Sequence, residues 1–193
     1  DVDPLEISEN NILCPKNNYA LTHLLSENVC NYYNNKIETS CINIRLSNGY
    51  GSPVFNENNC WKLVVNDMCK MAYNDNKINL LSDGTPQRDF IHVEDICKGV
   101  EKLISSNSNF DINTFNLSSG MTVSMLELAH IVKQVYEKRY DKNIRIIFPD
   151  GSKSDNLVKY TEPKKYIINN NRINKFGFHV NVSLEEGINE LFQ

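Results

Sequence analysis

The pattern that most limits the fold is an alternation of short β-branched runs with longer segments of helical spacing. Residues 41–46 (CINIRL) and 143–148 (NIRIIF) have the β-branched content of strands. Residues 17–33 carry apolar side chains three and four residues apart, as an amphipathic helix does. Because strands and helices alternate in this way, we predict an α/β fold.

Further strands and helices continue this pattern. After Gly120, Ser124 and Glu127 have the spacing of a capping box, so a helix is predicted to begin there. Residues 47–53 (SNGYGSP) contain two glycines and a proline and are predicted to end the strand at 41–46. The other predicted strands are 78–82, 88–93, 114–119 and 165–169, and the other predicted helices are 60–74, 94–104, 125–139 and 183–192.

Glycine is scarce, with only 8 glycines among 193 residues. None of them belongs to a G-x-G-x-x-G loop or to a G-x-x-x-x-G-K-[ST] loop, the glycine-rich loops whose backbone cradles phosphates. The residues given therefore contain no recognisable loop for the phosphates of a dinucleotide or a nucleoside triphosphate.

Charge and hydropathy argue against two classes of partner. The formal net charge is −4, whereas a general nucleic-acid binder has a basic surface. No stretch approaches the roughly 18 consecutive apolar residues of a membrane-spanning helix. Residues 1–11 are acidic and lack the apolar core of a signal peptide. We therefore expect a cytoplasmic protein that binds neither nucleic acid nor membrane.

The cysteines and histidines do not indicate a disulfide framework or a metal site. The chain has six cysteines, and none has C-x-x-C spacing. In a chain of this length without a signal peptide, we expect them to be reduced, buried thiols. The four histidines are scattered along the chain, so we expect no zinc site and no other metal.

Tyr19 and His23 are four residues apart on the first predicted helix, for which Asn17 or Asn18 can serve as the cap. Their side chains therefore share one face. The first turn, with its unpaired N–H groups and the helix dipole, favours a phenolate over a phenol, and such a tyrosine can act as an acid–base catalyst near neutral pH. On its own, the pair is more typical of an ordinary tyrosine at a helix start than of a catalyst, and both interpretations stay open at this point.

Further phrases follow Tyr19-x-x-x-His23 in a definite order. They are Arg45-Leu-Ser-Asn48-x-Tyr-Gly51-x-Pro53, Asp83-Gly84-x-x-Gln87-Arg88-Asp89-Phe-Ile-His-Val-Glu-Asp95, Phe115-Asn116-Leu-Ser-Ser-Gly120, and Phe176-Gly177-Phe followed by Ser183-Leu-Glu-Glu-Gly187. The series resembles the extended short-chain dehydrogenase/reductase superfamily, which contains the nucleotide-sugar epimerases and dehydratases. Its corresponding phrases are Tyr-x-x-x-Lys, Arg-x-x-Asn-x-Tyr-Gly-Pro, Asp-Gly-x-x-x-Arg-Asp-Phe-x-x-Val-x-Asp and Asn-x-Gly-x-Gly. The resemblance covers residues 10–192.

The resemblance implies roles at a nicotinamide cofactor, NAD or NADP. Tyr19 would take a proton from a sugar hydroxyl while hydride passes to the nicotinamide. His23 stands where the superfamily has a lysine that holds the nicotinamide ribose. The backbone around Leu46 and Ser47 would lie beside the nicotinamide.

The resemblance also implies four residues that bind a nucleotide-sugar substrate. Asn48 would hydrogen-bond the diphosphate, and Arg88 would clamp it, since a guanidinium binds phosphate oxygens bidentately. Asn79 and Leu81 lie where the superfamily cradles the nucleotide base. For three neighbouring polar residues we expect structural roles instead: a capping or salt-bridge role for Asp89, packing for His92, and a structural role for Arg45.

Two departures from the superfamily pattern matter. A histidine at position 23 supplies less positive charge near neutral pH than the superfamily's lysine, so it would help the tyrosine less to lose its proton. The glycine loop and the serine or threonine that precede the tyrosine in the superfamily are not in these residues. We expect residues 1–60 to form the last helix and strand of a Rossmann-like domain, and 61–193 mainly a substrate-binding α/β subdomain with strands returning to the main sheet. The N-terminal dinucleotide-binding half would then be absent from this chain.

The function that the resemblance implies is an NAD(P)-dependent nucleotide-sugar epimerase or dehydratase that makes sugars for cell-surface polysaccharides. The alternative is a degenerate, non-catalytic module that binds a sugar nucleotide or serves in assembly, which the histidine at position 23 favours. A homodimer through the helices at 17–33 and 60–74 is expected by analogy. Core packing is the alternative explanation for the apolar side chains at 60–74.

Overall fold

The computed structural model describes residues 5–34, 36, 41–55, 59–106, 113–152 and 165–193. Strands and helices alternate within these residues, so the predicted α/β fold is confirmed. The strands are β1 (Leu5–Ile7), β2 (Asn43–Leu46), β3 (Asn48–Tyr50), β4 (Lys77–Asn79), β5 (Gln87–His92), β6 (Thr114–Leu117), β7 (Thr122–Ser124), β8 (Arg145–Ile147) and β9 (Tyr166–Ile168). The helices are α1 (Asn18–Asn34), α2 (Val64–Asp75), α3 (Val93–Ser105), α4 (Met125–Tyr140), α5 (Asn171–Asn174) and α6 (Leu184–Leu191).

The strands pair mainly in parallel, as expected when helices connect them. Parallel pairs form between β2 and β6, β3 and β5, β4 and β8, and β1 and β9. Strand β7 pairs with β5 in the antiparallel direction. As predicted, β2 ends at Leu46, before the segment 47–53, but Asn48–Tyr50 of that segment form a further strand, β3, which was not predicted. The chain turns at Ser47 and passes from pairing with β6 to pairing with β5.

Two apolar cores lie on either side of β5. Phe90 belongs to the core that also holds α2, α4 and α6, whereas Ile91 belongs to the core around β6 and α3. This division follows from the pleat of a strand, in which neighbouring side chains point to opposite faces. Strand β5 therefore contributes side chains to both apolar cores.

The predicted helix at 60–74 is interrupted near its start. Cys60–Lys62 form a short 3₁₀ turn, Leu63 is extended, and α2 begins only at Val64. Val65, Met68 and Ala72 of α2 are buried in the first core. Core packing therefore explains these three side chains, whereas Leu63 and Val64 at the start of the segment are 44% and 43% exposed.

Helix α1 differs from the other long helices, because none of its 17 residues is buried. Its apolar residues are largely exposed; Leu25 and Val29, for example, are 54% and 55% exposed. What α1 contacts in this chain is instead a row of polar groups.

The cysteines correct another prediction. All six are free, as expected, but only Cys69 is buried, and Cys14 and Cys97 are exposed. Within the described ranges, no three His, Cys, Asp or Glu side chains are grouped so that they could hold a metal ion. Among the helices that the structure describes, none has the length and apolar character needed to cross a membrane.

Candidate active site

Tyr19 and His23 lie on the first two turns of α1. Asn17 caps this helix, as predicted, since its side-chain oxygen accepts a hydrogen bond of 2.8 Å from the backbone N–H of Ala20. The two ring centroids are 4.4 Å apart, and the ring planes are tilted by 57°. Tyr19 is 75% exposed and His23 is exposed as well. Both rings are therefore exposed to solvent and pack against one another.

A groove of about 770 Å³ lies between α1 and β2. Tyr19 and His23 line it from the helix, and Leu46 and Ser47 line it from the strand. The structure thus brings together the four residues that the superfamily resemblance assigns to the nicotinamide. Leu46 is 49% exposed and gives the groove an apolar surface that a flat ring can pack against.

The turn between β2 and β3 is held by Asp89 of β5. Ser47 Oγ donates to Asp89 Oδ1 at 2.7 Å, and the backbone N–H of Ser119 donates to the same oxygen at 2.9 Å. Asn48 Nδ2 donates to the backbone carbonyl of Asp89 at 2.8 Å. Asn48 is exposed, so the second N–H of its amide remains directed away from this carbonyl and is accessible to a ligand.

Arg88 is exposed on β5, one residue before Asp89. Its Nη1 donates to the backbone carbonyl of Gln87 at 2.8 Å, which leaves further guanidinium N–H groups for a ligand. The Tyr166 phenol lies nearby and donates to the same carbonyl at 3.2 Å. Burial raises the pKa of Tyr166, and the positive charge of Arg88 opposes that rise. Arg88 and Asn48 belong to neighbouring parallel strands, so the two residues that are predicted to bind the diphosphate lie on one sheet.

Asn79 and Leu81 lie elsewhere, at the end of β4. Asn79 is the last residue of β4 and pairs with Ile147 of β8, and it is half-buried. Leu81 is 95% exposed. Neither residue lines the groove beside α1. An exposed leucine just after a strand end offers an apolar surface to a ligand, but these two residues are separate from the Tyr19 groove.

The predicted packing role of His92 and structural role of Arg45 are confirmed, whereas the predicted capping or salt-bridge role of Asp89 is wrong. Asp89 is fully buried, but its partners are a hydroxyl and a backbone N–H rather than a cation. His92 is buried, packs against Tyr50 with ring centroids 5.3 Å apart, and caps α3. Arg45 forms an ion pair with Glu27 of α1.

Sequence reasoning missed the polar residues that attach α1 to the strands. Asn31 Oδ1 accepts hydrogen bonds of 2.9 Å from Asn43 and from Asn113. A signal was present, because Glu27 and Asn31 continue the four-residue spacing of Tyr19 and His23. The abundance of asparagine along the chain concealed it.

The chain resembles known proteins over most of its length. The family model described as "NAD dependent epimerase/dehydratase family" matches residues 2–118. A dTDP-L-rhamnose 4-epimerase from Burkholderia thailandensis is 25% identical over 92% of this chain and 46% of its own length. A UDP-glucose 4-epimerase from Mycoplasma genitalium is 30% identical over 67% of this chain and 42% of its own. The chain therefore spans less than half the length of these curated relatives.

A solved structure has the same fold. The UDP-glucuronic acid 4-epimerase from Bacillus cereus, in complex with UDP-glucuronic acid and NAD, superposes with a TM-score of 0.75 at 20% identity. The match covers 97% of this chain and 55% of that one. Since the family model matches more than half of the residues, the chain belongs to the NAD-dependent epimerase/dehydratase family.

Proposed function

We propose that this chain is the C-terminal part of an NAD- or NADP-dependent nucleotide-sugar epimerase or dehydratase. The observation that carries the proposal is the pairing of Tyr19 and His23, 4.4 Å apart, on the exposed face of α1 that lines the groove. Family membership supports it, as does the fold shared with an epimerase that was solved with a nucleotide sugar and NAD. The product would serve cell-surface polysaccharide synthesis in the cytoplasm.

The proposed division of the chain follows the predicted boundaries. Residues 1–60 would complete a Rossmann-like domain, and residues 61–193 would mainly form the substrate-binding subdomain. Both apolar cores are built mainly from residues after 61, with Tyr50 in one core and Ile42 and Ile44 packed against the other, so β2 and β3 would join the first part to the second. The N-terminal dinucleotide-binding half would lie outside this chain, which is in keeping with the short coverage of the relatives.

The groove would hold the nicotinamide end of the cofactor. Leu46 offers an apolar surface on one side, and the rings of Tyr19 and His23 lie on the other. The glycines of the chain form no loop for the pyrophosphate, so the rest of the cofactor would be held by residues outside it. When bound, this cofactor would supply reversible hydride transfer at a sugar carbon.

Tyr19 would perform the acid–base step. Its phenolate oxygen takes the proton of a sugar hydroxyl as the hydrogen on the same carbon leaves as hydride, so that a C=O bond forms. The exposure of Tyr19 leaves its oxygen accessible to such a hydroxyl. His23, against the tyrosine ring, would hydrogen-bond the nicotinamide ribose and orient it.

The substrate would be anchored by its nucleotide diphosphate. Arg88 would bind phosphate oxygens through the N–H groups that Gln87 does not use, and Asn48 would add an amide N–H from the neighbouring strand. Asn79 and Leu81, at the end of β4, would contact the nucleotide base. With the diphosphate and the base bound at two separate sites, the sugar would be free to reach Tyr19.

The complete enzyme would be a homodimer that uses α1. Leu21, Leu25 and Val29 repeat every fourth residue on this helix and are at least 42% exposed, so they form an apolar stripe. One face of α2 packs into the core, but Val64 and Tyr73 are 43% and 60% exposed, so α2 would add to the dimer surface as well. Sedimentation of the full-length protein beside a Leu25→Glu variant tests it, and an unchanged dimer would contradict it.

Turnover of a nucleotide sugar by the full-length protein tests the proposed function. Incubation with NAD and either UDP-glucose or UDP-glucuronic acid, followed by NMR of the sugar, should show conversion. Tyr19→Phe, which keeps the ring but removes the acid–base group, should lower kcat by about 10²- to 10⁴-fold. Binding of the nucleotide sugar without any conversion would overturn the enzymatic proposal and favour the non-catalytic binding module.

A further inference from the structure

The contact between α1 and β2 is made by polar side chains arranged as a ladder. Arg45 Nε and Nη2 donate to the two carboxylate oxygens of Glu27 at 3.0 and 2.5 Å. One turn further along the helix, Asn43 Nδ2 donates to Asn31 Oδ1 at 2.9 Å. A third contact is made by Asn34, whose side-chain amide exchanges two hydrogen bonds with the backbone of Cys41. We call these three contacts the polar seam.

The spacing of the seam matches a helix lying antiparallel to an extended strand. Its helix members, Glu27, Asn31 and Asn34, are four and three residues apart and therefore share one face. Their partners occupy positions 45, 43 and 41, every second residue, which places them on one side of an extended segment. Three consecutive rungs fix both the rotation of α1 about its axis and its position along β2.

The contact of the polar seam that lies nearest to Tyr19 and His23 is the ion pair between Glu27 and Arg45. The Glu27 and Arg45 side chains are only 17% and 24% exposed. A guanidinium that binds a carboxylate through two N–H groups fixes direction as well as distance. Arg45 Nη1 also donates to the backbone carbonyl of Glu9 at 3.0 Å, which ties the pair to the body of the chain.

The same face of α1 carries the proposed catalytic residues. Tyr19, His23 and Glu27 follow one another at four-residue steps, so Glu27 lies one turn beyond His23 and two turns beyond Tyr19. The apolar stripe of α1 is exposed, and no residue of α1 is buried. In the chain described here, the orientation of the catalytic face is therefore set by polar contacts and not by an apolar core.

We infer that Glu27 and Asn31 are positioning residues, which act through the polar seam to hold Tyr19 and His23 against Leu46 and Ser47. The inference rests on the proposed function for its catalytic part. A small displacement of a catalytic group lowers the rate of the chemical step far more than it lowers substrate affinity. Loss of the seam should therefore lower kcat and leave KM for the nucleotide sugar nearly unchanged.

The experiment compares four variants of the full-length protein. Glu27→Gln places an amide N–H₂ against the guanidinium, and Asn31→Leu removes the oxygen that accepts from Asn43 and Asn113. Asn31→Asp is the conservative variant, because it keeps that acceptor. Asn28→Ala is the matched control on the same helix, since the Asn28 amide donates to Leu24 of α1 itself.

Two measurements are made on each variant: amide hydrogen exchange of α1, with α4 as the internal reference, and steady-state kinetics. We expect Glu27→Gln and Asn31→Leu to speed exchange in α1 about ten-fold while α4 is unchanged. We expect the same two variants to lower kcat roughly 10- to 100-fold. Asn31→Asp and Asn28→Ala should remain close to the wild type in both measurements.

The two measurements separate the ways in which the inference can fail. Unchanged exchange in Glu27→Gln and Asn31→Leu would overturn the seam itself and leave the proposed function intact. Faster exchange in α1 with unchanged kcat would overturn the positioning role. A wild-type protein that turns over no nucleotide sugar would overturn the proposed function and the catalytic part of the inference with it.

Discussion

Ser47 Oγ donates a hydrogen bond of 2.7 Å to Asp89 Oδ1, and this bond joins the end of β2 to the middle of β5. The same oxygen accepts the backbone N–H of Ser119. Asp89 is fully buried, and its other carboxylate oxygen has no hydrogen-bond partner among the described residues. One buried carboxylate therefore holds the turn that contains Ser47, which is predicted to lie beside the cofactor, and Asn48, which is predicted to bind the substrate.

Replacement of Asp89 should destabilise the fold. Asp89→Ala leaves the Ser47 hydroxyl and the Ser119 N–H without their acceptor, and each buried donor left unpaired costs about 1–3 kcal/mol. We expect the free energy of unfolding to fall by about 2–5 kcal/mol, measured by urea denaturation. Asp89→Asn keeps an acceptor oxygen and should lose less. A loss below about 1 kcal/mol in Asp89→Ala would show that the carboxylate does not hold this turn.

Gly187 on α6 should not tolerate alanine, although alanine is the better helix former by about 1 kcal/mol. A Cβ at position 187 would lie 2.5 Å from Tyr50 Oη and 2.9 Å from His92 Cδ2, both of which are buried. We expect Gly187→Ala to lower the free energy of unfolding by about 1–3 kcal/mol. Because Tyr50→Phe removes the nearest atom, the double variant should lose less than the sum of the two single variants. Strict additivity would show that the Tyr50 hydroxyl is not the obstacle.

Much of the fold could be predicted because some signals are local. Ser124 and Ser183 cap the N-termini of α4 and α6, and each forms a capping box with a glutamate three residues later. Such a cap satisfies backbone N–H groups within a single turn, so the sequence is enough to find it. Asn17 at the start of α1 was predictable for the same reason.

The features that escaped prediction depend on residues distant in the chain. Strands β1, β3 and β7 have three residues each, and β1 pairs with β9 in a register that joins Glu6 to Ile167. Strands β4, β8 and β9 are equally short but lie in apolar runs that predicted them, whereas β1, β3 and β7 lie in no such run. The candidate site divides in the same way. The four-residue spacing predicted that Tyr19 and His23 share a face. The position of Ser47 in the same groove could not be predicted from such spacing, because Ser47 bonds to Asp89, which lies 42 residues after it.

Cys69 should make the fold sensitive to alkali. Burial raises the pKa of its thiol from 9.0 to about 12, so between these values the unfolded chain loses a proton that the folded chain keeps. Stability from this group is complete below pH 9 and declines as the pH rises toward 12, by up to about 1.4 kcal/mol per pH unit. Cys69→Ala should lower stability at pH 7 and flatten the decline above pH 9, as measured by urea unfolding. An equally steep decline in Cys69→Ala would assign it to other groups.

His23→Lys should shift the pH–rate profile of the full-length enzyme. A lysine carries its positive charge throughout the neutral range and would favour the tyrosine phenolate one turn away. We expect the rise of kcat/KM with pH to move to lower pH in this variant. Asn28→Lys, which adds the same charge farther along α1, controls for net charge and should leave the profile in place. If the profile of His23→Lys coincides with that of the wild type, charge at position 23 does not control Tyr19.

This chain on its own should fail to bind NAD in the micromolar range. Tyr19, His23, Leu46 and Ser47 would contact only the nicotinamide end, and no glycine loop is present for the pyrophosphate. Without the interactions of the phosphates and the adenosine, the remaining contacts must offset the full loss of translational and rotational freedom on binding. Isothermal titration calorimetry with NAD measures the affinity of the chain, with the full-length protein as the positive control. Saturable micromolar binding by this chain would mean that it contains a complete dinucleotide site, and the proposed division between this part and a cofactor-binding half would then be wrong.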